Sequence, residues 1–129
     1  MEERNLAVVA AHMAGEARDP AGILPLYADD IVFEVPTRSI VLRDKVAIEA
    51  NYRSMFASVA GLALETLSRT ASGDRVEDLS TLRFRLVGDG FLGAPVSPGA
   101  RVALTLHHEF VLRDGLIVRE TVREDWQEL

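Results

Sequence analysis

The chain has no cysteine. Disulfides, thiolate nucleophiles and thiolate metal sites are therefore excluded. Basic residues are in the minority, 14 Lys and Arg against 20 Asp and Glu, for a net charge of −6. With no basic cluster, nucleic acid and anionic membrane surfaces are not expected partners. No apolar run approaches the roughly 20 residues that span a bilayer. The start, Met1-Glu2-Glu3-Arg4-Asn5, lacks the basic-then-apolar order of a secretion signal, so a soluble cytoplasmic protein is expected. Gly88-Asp89-Gly90 lacks the Lys and following helix of a phosphate loop. No serine stands on a nucleophile turn. No cofactor is expected.

What is present is one domain, residues 1–129, 48% hydrophobic and long enough to bury a core. Its clearest stretch runs from Val102 to Trp126, two period-two segments around Arg113-Asp114-Gly115. This is a hairpin signal. A three-residue loop with Gly115 left-handed would set Leu112 opposite Leu116, Phe110 opposite Val118, His108 opposite Glu120, and Leu106 opposite Val122. The inward face is then Leu104, Leu106, Phe110, Leu112, Leu116, Val118, Val122 and Trp126, with His108, Glu120 and Glu124 set into it.

Earlier in the chain, Leu6, Val9, Ala10, Met13 and Ala17 make a helical stripe with His12 at its partly exposed edge. Asp19-Pro20 starts a second, short helix carrying Ile23, Leu24 and Tyr27. Ile31 to Val35 is a strand closed by Pro36. Asp44 caps a third helix, with Ile48, Tyr52, Met55, Phe56 and Val59 as its apolar face. Strands follow at Leu62 to Thr70 and Val76 to Val87. The stretch from Gly88 to Gly99, holding four of the nine glycines, reads as a mobile loop. Helices early and antiparallel strands late indicate an α+β fold, with three helices covering a curved, mainly antiparallel sheet.

Several stretches resemble the nuclear transport factor 2-like superfamily. Leu26-Tyr27-Ala28-Asp29-Asp30-Ile31-Val32-Phe33-Glu34-Val35-Pro36 is similar to its helix-to-strand signature, and Asp44-Lys45-Val46-Ala47-Ile48 to the start of its third helix. Ser97-Pro98-Gly99-Ala100-Arg101-Val102 and Phe110 to Asp125 resemble the closing strands of the SnoaL-like, polyketide cyclase and ketosteroid isomerase-related branch. The resemblance implies a cone-shaped α+β barrel, a pocket between sheet and helices, and a homodimer joined through the sheet's outer surface. Residue by residue, Val35 stands where ketosteroid isomerases place their base. His108 matches the penultimate-strand His of SnoaL-like cyclases, and Val122 stands where their Asp would be. Asp125 matches a commonly acidic end of the last strand and faces outward by parity.

His108 beside Glu120 is the constellation with chemistry in it. A carboxylate raises the pKa of an adjacent imidazole and fixes its tautomer, giving a general acid or base near neutral pH. A self-satisfied polar pair that merely shapes the pocket is the alternative. Tyr52, Asp78, Phe84, Leu106, Phe110 and Val122 complete the expected substrate-binding set around a small hydrophobic molecule. A metal site is not expected. His107 and His108 point to opposite faces of a strand, and His12 would have to meet His108 by chance. A closed pocket of about 300–1,000 Å³ would favour proton-transfer catalysis on an apolar carbonyl or polycyclic substrate. A space filled by Leu82, Phe84, Phe110 and Trp126 would favour a non-catalytic binding or dimerisation module.

Overall fold

The computed structural model describes residues 1–129. It contains two α-helices, α1 (Glu2–Gly15) and α2 (Lys45–Ala57). Its strands are β1 (Tyr27–Val35), β2 (Ile40–Leu42), β3 (Val59–Ser72), β4 (Arg75–Leu86), β5 (Arg101–Arg113) and β6 (Leu116–Glu128). They form one sheet in the order β2-β1-β6-β5-β4-β3. Only β1 and β6 run parallel. The α+β class and mainly antiparallel sheet stand. The barrel does not, because β2 and β3 remain as free edges of an open sheet. No helix is long and apolar enough to cross a membrane.

The expected helix after Asp19 does not form. Residues Leu24–Leu26 make one 3-10 turn, and Tyr27 already begins β1. Pro20, Gly22 and Pro25 crowd that segment, and each proline removes a backbone donor. Helix α2 forms where Asp44 predicts but ends at Ala57, so that Val59, expected on its apolar face, begins β3 instead. Asp44 accepts from the Ala47 amide at 2.8 Å, and Ile48, Tyr52 and Met55 are buried.

Helix α1 is rotated relative to its apolar stripe. Its buried residues are Asn5, Val9, His12 and Met13, with Glu16 following at the C-cap. His12 is fully buried rather than partly exposed. Polar side chains can occupy that line because they find partners: Asn5 donates to the Gly73 carbonyl at 3.2 Å, and His12 meets the cluster described below.

The closing hairpin forms with a different register. Asp114 and Gly115 both have positive φ, 54° and 78°, so the turn has two residues rather than three. Arg113 pairs with Leu116 and Leu112 with Ile117. A bulge at Val118 then brings Val111 opposite Arg119. Ile117 takes the buried place that Leu116 was expected to hold, and Leu116 is exposed. Beyond the bulge the faces are as expected but the partners move by two. Phe110 opposes Glu120, His108 opposes Val122, and Leu106 opposes Glu124.

The segment from Val87 to Ala100 is seated against α2, not free. Ser54 Oγ donates to the Gly90 carbonyl, the Gly90 amide donates to Ser58 Oγ, both at 2.8 Å, and Phe91 is buried.

Candidate functional site

Glu120 is the hub of a buried polar cluster on the inner face of the sheet. Its Oε1 accepts from the Tyr27 hydroxyl at 2.8 Å and lies 3.2 Å from His12 Nε2. Its Oε2 accepts from the Tyr52 hydroxyl at 2.9 Å, and His108 Nε2 stands 3.7 Å away. His12 Nε2 is also 2.7 Å from the Tyr27 oxygen. Because Tyr27 gives its proton to Glu120, that oxygen accepts from the imidazole N–H. Five elements converge here: α1 brings His12, β1 Tyr27, α2 Tyr52, β5 His108 and β6 Glu120. The expected pairing of His108 with Glu120 thus survives as a diagonal contact, while His12 and the two tyrosines are the nearer partners.

Burial sets the charges. It pushes the Glu120 carboxyl up, but His12, His108 and the tyrosine hydroxyl override it and hold the group down at about 2. For His12 burial pulls downward, yet the contact with Glu120 wins and the imidazole is raised above 6.5. His108 goes the other way. Burial lowers it to about 4, the pull of Glu120 being too weak to compensate and the His12 charge opposing protonation. The expectation of a raised His108 is corrected: desolvation outweighs a carboxylate 3.7 Å away when a second cation already neutralises that carboxylate. Burial raises both tyrosines, with Glu120 adding to it, so they remain phenols. Within the cluster the positive charge is therefore favoured on His12, against the Glu120 carboxylate, rather than on His108.

An enclosed cavity lies above this cluster. Of the expected residues, Tyr52, Leu106, His108 and Val122 stand on its wall. Glu16, Arg38 and Glu124 join them. The space open to a water-sized molecule is about 20 Å³, room for one water and far below the size expected for a ligand site. Four expected residues lie off the wall, Glu120 among them. Asp78 opposes His108 across β4 and β5, but its carboxylate takes 2.7 Å and 2.5 Å bonds from Arg69 and Ser80. Phe110 stacks on His108 with ring centroids 5.4 Å apart. Phe84 stacks on Phe91.

One end of the cavity is closed by an ion pair. Arg38 Nε lies 3.0 Å from Glu124 Oε1, and each side chain is only 1% exposed. Arg38 also donates to the Leu92 carbonyl and lies over the Phe91 ring, while Trp126 donates to Glu124. Ligand atoms of His12, Glu16 and Glu120 lie within 4.8 Å of one another, close enough for one metal ion. The Glu120 oxygens and His12 Nε2 are already committed to hydrogen bonds with the tyrosines and each other. The sequence reading missed His12, Glu16 and Tyr27. For His12 and Glu16 the available signal was the line Asn5, Val9, His12, Met13, Glu16, a polar-interrupted stripe at helical spacing.

The fold recurs widely among solved structures. A SnoaL-like protein from Jannaschia sp. CCS1 superposes with a TM-score of 0.80 at 21% identity, covering 96% of this chain and 87% of that one. An epoxide hydrolase of the LEH-like type from M. tuberculosis gives 0.71 at 20% identity, covering 96% and 84%. A ketosteroid isomerase-like protein from Catenulispora acidiphila, crystallised with trimethylamine, gives 0.72 at 16% identity, covering 89% and 82%. Among curated proteins, none matches this sequence. The SnoaL-like domain model matches residues 5–120, nearly the whole length, and the chain belongs to the SnoaL-like domain family.

Proposed function

We propose that this protein binds a small, mostly apolar carbonyl compound in the cavity between sheet and helices and transfers a proton, with His108 as base and Glu120 as the group that orients it. One observation carries the reading. His108 stands on the cavity wall as a neutral imidazole whose Nδ1 is buried with no partner. An unpartnered buried acceptor is costly unless a ligand completes it. Nε2 faces the Glu120 carboxylate, which favours the tautomer with its proton there and leaves the Nδ1 lone pair free. Tyr52, Leu106 and Val122 supply the surrounding surface, and entry of a ligand requires the Arg38–Glu124 end to open.

The small volume of the cavity favours a second reading, a non-catalytic binding or dimerisation module. The two part at residue 108. Exchange of the α-protons of a panel of cyclic and aryl ketones in deuterated water, followed by proton NMR, should be accelerated by the protein and lost in His108→Ala. Ketones that bind, shown by thermal shift, without exchange beyond buffer would instead support the module. The same reading includes self-association through the outer face of the sheet, checked by light scattering of the eluted protein.

A further inference from the structure

Glu16 has no role in the reading above, yet it occupies the same cavity wall as His108 and Tyr52. It caps the C-terminal end of α1 and is 3% exposed. Its Oε2 has no hydrogen-bond partner, and the atom facing it 3.6 Å away, His12 Nδ1, has none either. His12 can balance one carboxylate at most, and Glu120 at 3.2 Å is nearer to it than Glu16, so a second carboxylate at Glu16 would leave a buried negative charge unpaired. His12 already uses its Nε2 proton towards Tyr27 and Glu120. The end of a helix also disfavours a carboxylate, because the last carbonyls point their negative ends at it.

The groups around Glu16 lead the same way. His12 on its own helix, Tyr52 on α2, Tyr27 on β1, Asp78 on β4, His108 on β5 and Glu120 on β6 enclose it. Burial raises its pKa to about 8, His12 pulls it down, and Glu120 and Asp78 push it up. A neutral carboxyl with a pKa near working pH, on the same cavity wall as an imidazole lowered to about 4, is the split that separates an acid from a base in one site.

We propose that Glu16 is the acid of this site: its carboxyl hydrogen-bonds to the carbonyl oxygen of the bound ligand and protonates it while His108 takes the proton from the neighbouring carbon. The proposal rests on the proton-transfer reading. The C–H electron pair becomes the new C=C bond, and the C=O π pair takes the Glu16 proton. The products are an enol, an imidazolium at His108 and a carboxylate at Glu16, and reversal at the same or the conjugated carbon returns both protons.

The test adds Glu16→Gln to the ketone-exchange assay. Gln is the neutral, equal-sized mimic of a protonated Glu, so the variant folds. Its exchange rate is expected to fall about a hundredfold. The wild-type rate should decline above a pH of about 8 as the acid is lost, while the variant stays flat there. Infrared titration should show a protonated-carboxyl band at neutral pH that disappears in the variant. If Glu16→Gln keeps the wild-type rate while His108→Ala loses it, or if that band is absent at neutral pH, Glu16 is not the acid. If the wild type exchanges none of the ketones, the proton-transfer reading falls and takes this assignment with it.

Discussion

Replacing Glu120 by Gln isolates the charge at the centre of the cluster. Gln keeps the volume and one carbonyl acceptor, so Tyr27 or Tyr52 can still be satisfied. What is lost is the anion that faces the fully buried His12 imidazole at 3.2 Å. The carboxyl sits at about 2 against its ordinary 4.5. At about 1.4 kcal/mol for each tenfold change in proton affinity, that preference is worth about 3 kcal/mol of stability. A pKa depressed on folding contributes above the unfolded value and is lost as pH falls through the folded one. The gap between wild type and Glu120→Gln should therefore be about 3 kcal/mol at neutral pH and close as pH falls from 4.5 towards 2. Urea unfolding at fixed m reports it as a shift in midpoint, and thermal unfolding as a drop of about 10 °C. The reasoning is refuted by a variant within about 1 kcal/mol of wild type at neutral pH, or by a gap unchanged in acid.

Two further substitutions examine the cover of the cavity. Arg38→Met and Glu124→Gln each strand a buried charge, and each should cost about 3 kcal/mol, whereas the double variant should cost well under their sum; a double-mutant cycle measures the coupling. Arg38→Met should also speed amide exchange around Phe91 and Leu92, which the guanidinium holds down. At Gly90 an added methyl would stand 2.5 Å from the Ser54 carbonyl oxygen. Gly90→Ala should therefore unseat the 87–100 segment at a cost of about 1–3 kcal/mol, read by urea unfolding and by hydrogen exchange confined to that segment.

The parts of this fold that were legible in the sequence are those where one face is apolar and the other is not. The alternation through Leu104, Leu106, His108 and Phe110 set which side of β5 is inward, and Asp44 with the Ile48–Tyr52–Met55 stripe located α2. Register failed where the pattern was degenerate. Leu116, Ile117 and Val118 are all apolar, so no alternation marked the bulge that moves Glu120 from opposite His108 to opposite Phe110. Strand β2, three residues long, carries too little periodicity to be read. His12 was misplaced because a lone histidine on a helix is normally assigned to the edge. Its burial depends on Tyr27, Tyr52 and Glu120, which lie 15, 40 and 108 residues away in the chain and meet it only when the sheet assembles. Of the proposed site, the pair His108 and Glu120 was thus visible in the sequence. The inversion of imidazole charge was not, since it follows from which histidine stands nearer the carboxylate.

That inversion is the claim on which the rest stands, and imidazole titration by nitrogen-15 NMR reads it directly. His12 should titrate above 6.5, and His108 should titrate near 4. A His108 that titrates at or above 6.5, or a His12 that titrates below it, would contradict the account.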